Sequence, residues 1–379
     1  MRVALDVTPL AGSRSGVGWF VAELLPALAA APGGPALVPY VLSTRAPAGL
    51  LLDLEGGPHT PPRRLPIMAT AALRLWAHAS LPAMDRRLGH PDVVHGTNFV
   101  VPPTRRAARV VTVHDTSLLE HPAWCSKRVR SMAAPLRRAV QEGAWVHVPS
   151  SFVATRVEDL LDADPERVAV IPHGVPTLDA AADPRAPGAR GALPDGPFIL
   201  AIGTLEPRKN HVRLVEAFGL LSTRLDGVSL VLAGADGTAR PAIDAAVAAL
   251  PGTARDRVWI PGYVGDDARA TLLRGAAVLA HPSLDEGFGL PLLEAMRSST
   301  PVVAAAAGAL PEVADEAALL VDPRDPVALA LALEQVLVHE RVAKRLVDAG
   351  HVRVAAFSWA TTAQRMIELY RAAAAEPRA

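Results

Sequence analysis

Twelve short apolar runs, separated by stretches long enough for a helix, constrain this chain more than any other feature. Six lie at 2–7, 37–42, 92–95, 109–113, 145–148 and 168–171, and six at 197–202, 228–233, 257–260, 277–280, 301–304 and 318–321. Runs of Val, Ile, Leu and Ala without polar alternation suit strands buried on both faces. Helix-length connections are what parallel neighbours require. The fold class read from this pattern is α/β, with doubly wound parallel sheets. Between the two sets, Thr177 to Pro197 alternates Pro and Gly too closely to sustain a helix or a strand. It reads as a linker, so that residues 1–180 form one domain, 181–358 a second and 359–379 a closing helix. A length of 379 residues accommodates two such domains, each with its own core.

Composition narrows the class. Cys125 is the only cysteine, which forbids an intrachain disulfide and points to a reducing, cytoplasmic compartment. The chain begins with strand-like Val3 to Val7 rather than a basic-then-apolar leader. The longest early uncharged run, Leu24 to Thr44, is interrupted by Pro26, Pro32, Gly33, Gly34, Pro35 and Pro39, so no membrane-spanning helix is expected. Net charge is zero, but residues 1–150 hold 16 Lys/Arg against 9 Asp/Glu and the remainder 22 against 29. The excess gathers in Arg63-Arg64, Arg86-Arg87, Arg105-Arg106 and Lys127-Arg128-Val129-Arg130. A solvated helix face and contact with an anionic membrane surface or acidic acceptor account for it equally well. A nucleic-acid partner is not expected.

Two segments carry the chemistry. Gly203-Thr204-Leu205-Glu206-Pro207-Arg208-Lys209-Asn210 follows the apolar run 197–202. It sets two cations at a strand end, beside a helix that starts near Asn210, where a diphosphate is the natural ligand. An Arg-Lys pair in a loop is most often surface charge; the whole string shifts the balance. Asp285-Glu286-Gly287-Phe288-Gly289-Leu290-Pro291-Leu292-Leu293-Glu294 places two glutamates eight positions apart around a glycine turn. Pro291 suits the first turn of the helix that follows. Two solvent-facing glutamates are the plain alternative, and the glycines between them count against it. Near the start, Gly12-Ser13-Arg14-Ser15-Gly16-Val17-Gly18 follows the first run, and Gly16 and Gly18 permit close backbone approach to a phosphate or sugar. Its spacing is not the dinucleotide-binding order, which disfavours a dehydrogenase. Asp162-Ala163-Asp164 spells a metal-binding pattern but sits before Pro165-Glu166 and reads as a capping turn. No His/Cys cluster has metal-ligand spacing, so no metal is expected.

These segments, with Val113-His114-Asp115, with Val170-Ile171-Pro172-His173-Gly174-Val175 and with the stretch from Phe357-Ser358-Trp359 to Tyr370, resemble the family-four retaining glycosyltransferases of the GT-B fold, whose signature is a Glu-x7-Glu pair. The resemblance spans nearly the whole chain. It implies two Rossmann-like doubly wound domains facing across a cleft, with the C-terminal helix crossing back to the N-terminal domain. It implies transfer of a hexose from a nucleotide-diphosphate sugar to a hydroxyl acceptor, with Arg208 and Lys209 on the diphosphate and no cofactor. It further implies that Glu286 and the amides of Gly287, Phe288, Gly289 and Leu290 hold sugar hydroxyls and that Glu294 binds the ribose. His114 is implied to lie near the sugar's C6 hydroxyl, and the Gly262-Tyr263-Val264 turn to hold the base, with Gly234, Gly203 and Thr204 nearby. His173 and His281 read as structural. The string at 204–210 resembles mannosyltransferases, which points to GDP-mannose, with a UDP-hexose as the alternative. The acceptor is left open among a lipid-linked glycan, a phospholipid and a small molecule. A phosphorylase and a non-catalytic sugar-nucleotide binder are the rival classes.

Overall fold

The computed structural model describes residues 1–11, 16–42, 62–65, 68–176 and 194–376. The linker expected at 177–197 lies largely outside them, as does the boundary expected at 180. The chain divides into two units, Met1–Gly174 with Phe357–Ala379, and Val175–Ala356.

The first unit contains β1 (Arg2–Asp6), β2 (Ala36–Leu42), β3 (Arg63–Leu65), β4 (Val93–Gly96), β5 (Ala108–Thr112), β6 (Trp145–Val148) and β7 (Val168–Val170). All pair in parallel, in the order β3-β2-β1-β4-β5-β6-β7. β3 falls outside the twelve apolar runs. Arg63-Arg64-Leu65 has only one apolar residue to bury, yet it pairs with Tyr40–Leu42 at the sheet edge. Pro39 is tolerated inside β2 because it falls one residue before that pairing, where a missing N–H breaks no bond to β3.

The second unit contains β8 (Phe198–Ile202), β9 (Ser229–Ala233), β10 (Val258–Gly262), β11 (Val278–His281), β12 (Val302–Ala305) and β13 (Ala318–Val321). These too are parallel, in the order β10-β9-β8-β11-β12-β13. β8, β9, β11 and β12 are buried along their whole length, as continuous apolar runs demand.

The closing helix Trp359–Ala375 returns to the first unit. Ser358 caps it by accepting the Thr361 N–H at 3.1 Å, and its Trp359, Met366, Ile367 and Tyr370 share one core with Phe20, Leu24 and Leu28 of the helix Gly16–Ala30. Each such fully buried side chain contributes about 1.5–3 kcal/mol. Tyr370 also opens a hydrogen-bond chain whose direction is fixed by its far end. The Ile171 carbonyl can only accept, so His147 Nε2–H donates to it (2.9 Å) and His147 Nδ1 accepts from the Thr112 hydroxyl (2.9 Å). Thr112 Oγ1 then accepts from His95 Nε2–H (2.7 Å), and His95 Nδ1 accepts from the Tyr370 hydroxyl (2.7 Å). Burial pushes His147 down to about 3 and His95 well below the usual histidine range, so both rings are neutral. Asp162 ends the helix Ser151–Leu161 in a left-handed conformation and Asp164 accepts the Glu166 N–H at 3.0 Å, which makes that pair a capping turn. No helix among the described residues is long and apolar enough to cross a membrane.

Candidate active site

In the second unit the strand order reverses between β8 and β11. The chain leaves β8 through the helix His211–Leu221 toward β9 on one side, and leaves β11 through the helix Leu290–Arg297 toward β12 on the other. Such a switch point opens a crevice at the carboxyl ends of the two strands. Both sequence motifs emerge there, Gly203–Asn210 from β8 and Pro282–Gly289 from β11.

The loops are stitched together by backbone. Gly203 N–H donates to the Ala233 carbonyl (3.0 Å), Leu205 N–H to that of Ala235 (3.0 Å) and Gly234 N–H to that of Gly262 (2.9 Å). A methyl at Gly234 would stand 1.9 Å from the Gly203 carbonyl oxygen, so only glycine lets these turns stack. Thr204 is half-buried beside them. Residues Pro207–Lys209 form a single 3-10 turn. Asn210 then takes a left-handed conformation (φ 58°), and its amide donates to the Pro282 (3.1 Å) and Pro323 (2.7 Å) carbonyls. The Leu284 N–H donates to the Arg208 carbonyl at 2.7 Å.

This stitching brings three candidate residues into contact. The Glu286 carboxylate accepts from the Lys209 ammonium, lies 3.1 Å from the Arg208 guanidinium and 3.3 Å from His281 Nε2, which in turn is 3.2 Å from the Ser283 hydroxyl. Burial alone would raise the Glu286 carboxyl. Lys209 and Arg208 beside it, with the His281 hydrogen bond, outweigh burial and hold it well below the usual carboxylate range. Lys209 is 8 % exposed. The plain reading of this pair as surface charge is therefore wrong for Lys209, whose amine is held against a buried carboxylate. Burial, then Lys209, depresses His281, and the same causes with His281 bring His211 to about 3.

Glycine at 289 (φ +97°) turns the chain into the helix Leu290–Arg297, with Pro291 in its first turn and Phe288 and Leu290 buried at its start. Glu294 sits one turn in, with no solvent exposure, and pairs with Arg269 from the helix Asp266–Gly275. Tyr263 is half exposed and Val264 half buried in the turn between β10 and that helix.

The remaining candidates belong to the first unit. Gly16 is exposed and Gly18 buried at the opening of the helix Gly16–Ala30, while residues 12–15 of that loop lie outside the described residues. His114 follows β5, and Phe20 of the same helix meets its ring edge-on at 5.0 Å. Its Nε2–H donates to the Thr97 carbonyl (2.8 Å), so its Nδ1 accepts from His173 Nε2–H (3.3 Å). Burial lowers its basicity, and both ring nitrogens are engaged within the domain.

Sequence reasoning missed two contributors. The Ala309 N–H donates to the Glu286 carbonyl at 2.8 Å from the loop after β12, and Gly308 leaves room for that approach. Neither belongs to a motif around Glu286; the sequence signal was Ala307-Gly308-Ala309 after an apolar run. Arg269 is the other. A lone arginine in a helix gives no sign of a buried partner 25 positions on.

Glycosyl transferases group 1 match residues 186–353, and Glycosyltransferase Family 4 matches residues 14–177. The O-antigen chain mannosyltransferase B of Escherichia coli is 30% identical over 320 residues, which cover 82% of this chain and 81% of that protein. A D-inositol 3-phosphate glycosyltransferase of Salinispora tropica is 32% identical over 324 residues, 77% of this chain and 66% of the relative. Among solved structures, the sucrose-phosphate synthase of Thermosynechococcus elongatus superposes with a TM-score of 0.75 at 26% identity, covering 98% of both chains. Two doubly wound sheets of parallel strands, a Glu-x7-Glu segment at the switch point and these relatives together place the chain: it belongs to family four of the GT-B glycosyltransferases, glycosyl transferases group 1, and is a transferase with mannosyltransferases among its relatives.

Proposed function

We propose that the protein is a retaining hexosyltransferase that takes mannose from GDP-mannose and passes it to a hydroxyl acceptor without a metal. The observation that carries the donor class is the contact of Arg208 and Lys209 with Glu286 at the β8/β11 switch point. A nucleotide-diphosphate sugar presents a dianionic linker and a ring of hydroxyls, which are the complements of two cations and a carboxylate. Here the cations meet the diphosphate and neutralise the charge that grows on it as the glycosidic bond breaks, an interaction stronger in the transition state than before it. Glu286, with the amides of Gly287 to Leu290 at the helix start, orients sugar hydroxyls. Glu294 takes the ribose, the turn at Tyr263 and Val264 takes the base, and Gly203, Thr204 and Gly234 shape the backbone around the phosphates. With no carboxylate assigned as nucleophile, the acceptor attacks from the face the diphosphate leaves, and a phosphate oxygen takes its proton.

The mannosyltransferase relative favours mannose. The inositol phosphate relative keeps a small phosphorylated acceptor beside a lipid-linked glycan or phospholipid. A thermal-shift panel of GDP, UDP, ADP and dTDP with their sugars, in EDTA, tests the donor, since a ligand bound only by the folded state raises its stability by mass action. Selective stabilisation by GDP and GDP-mannose is expected. Selective stabilisation by UDP-hexoses would replace mannose with that donor, and no response to any nucleotide would remove the assignment.

A further inference from the structure

Glu294 and Arg269 form an ion pair that uses only half of each partner. One guanidinium nitrogen, Nη2, meets one carboxylate oxygen, Oε2. Glu294 Oε1 and Arg269 Nε are both shut off from water and make no hydrogen bond among the described residues. An arginine and a carboxylate ordinarily satisfy one another through two parallel bonds. A buried donor or acceptor left unmade carries its full desolvation cost, which folded proteins rarely tolerate without a use for it. The leftover pair is an acceptor and a donor flanking one ion pair. That combination complements a hydroxyl, which gives one hydrogen bond and receives another. Arg269 lies one turn into the helix that begins directly after the turn at Tyr263 and Val264, with its N–H on the Gly265 carbonyl at 2.8 Å. The ion pair thus ties that turn to the helix carrying Glu294.

We propose that Arg269 is a positioning residue for ribose recognition: it holds Oε2 of Glu294, so that Oε1 and the Arg269 Nε–H are presented together to one ribose hydroxyl. The inference rests on the ribose role of Glu294 proposed above and adds the residue that sets its geometry. Arginine is suited to this because its planar fork keeps one N–H on the carboxylate while another remains available at a fixed angle; a lysine ammonium offers a point charge without that second direction.

The test compares binding of GDP and UDP with their 2′,3′-dideoxy counterparts to the wild-type chain, E294A, R269A, R269Q and R269K by calorimetry, with a thermal melt to confirm folding. The wild type is expected to prefer the ribose form by roughly ten- to a hundredfold, the range of a single hydrogen bond to a charged group. E294A and R269A should each erase that preference while leaving dideoxy binding unchanged, and R269K should keep part of it. Should R269A fail to fold, R269Q is read in its place. If E294A retains the full preference, the ribose role of Glu294 falls and takes this inference with it. If E294A loses the preference but R269A keeps it, only the role of Arg269 is overturned. Equal weakening of ribose and dideoxy forms in R269A would make the arginine a structural partner and nothing more.

Discussion

At Lys209 the demands of folding and of the proposed chemistry meet on one atom. Its ammonium is the nearest positive charge to the buried Glu286, with Arg208 the second, so truncation strikes both roles. K209A is expected to lower turnover by roughly two to four powers of ten, if the cation supplies about 3–5 kcal/mol to the transition state. It should also lower the thermal midpoint, because a buried carboxylate loses its closest partner. R208A, whose side chain is more exposed, should share the loss of turnover with a smaller loss of stability. Steady-state kinetics beside thermal melts decide this, and wild-type turnover in the double variant would rule out the diphosphate assignment. The pair was visible in sequence because a Gly-Thr turn, two cations and an asparagine follow an apolar run. The burial of Lys209 was not, since it comes from Asn210 and Leu284 drawing two distant loops together. Arg269 was invisible for the same reason: partnership across two helices leaves no local pattern.

Among the elements, the strands of the two sheets were legible almost to their ends, because a parallel strand covered on both faces must be apolar throughout. β3 escaped because an edge strand of three residues needs only Leu65 to be apolar. The polar content of the first sheet's carboxyl ends was equally hard to see. His95, His114, His147 and His173 come from four separate segments and gather around Phe20 and Tyr370. Burial depresses all four below the unfolded value near 6.5, so the unfolded chain binds more protons than the folded one as pH falls through that value. Their contribution is fully present above about pH 6.5 and is lost below it, at about 1.4 kcal/mol per pH unit for each histidine protonated only when unfolded. Asp6, raised by burial to about 6, acts the opposite way between about pH 4 and 6, one group against four. Urea unfolding at pH 7.5, 6.5 and 5.5 should show a steep loss on acidification. A flat profile would mean that these rings are not buried neutral in solution.

For the whole molecule, charge is distributed as unevenly as structure. Arg63, Arg64, Arg86, Arg87, Arg105, Arg106, Lys127, Arg128 and Arg130 are all exposed on the first unit. Near an anionic bilayer each adds about 1 kcal/mol of attraction that salt screens. Co-sedimentation with anionic vesicles at low salt, lost at high salt and absent with neutral vesicles, is the expected result. Negligible pelleting throughout would make the arginines ordinary solvated surface and favour a soluble acceptor. The return of the helix Trp359–Ala375 to the first unit has a different consequence, for the order in which the molecule is made. On the ribosome the second unit has all its residues before the first does, because Phe20, Leu24 and His95 wait for side chains near 370. The half synthesised earliest is therefore the one completed last, and until then it presents an open apolar seam that a holding chaperone would recognise. A chain ending at residue 356 should keep a cooperative unfolding transition for the second unit while the first binds a hydrophobic dye. A first unit that melts as sharply without its closing helix would show that the seam closes on its own.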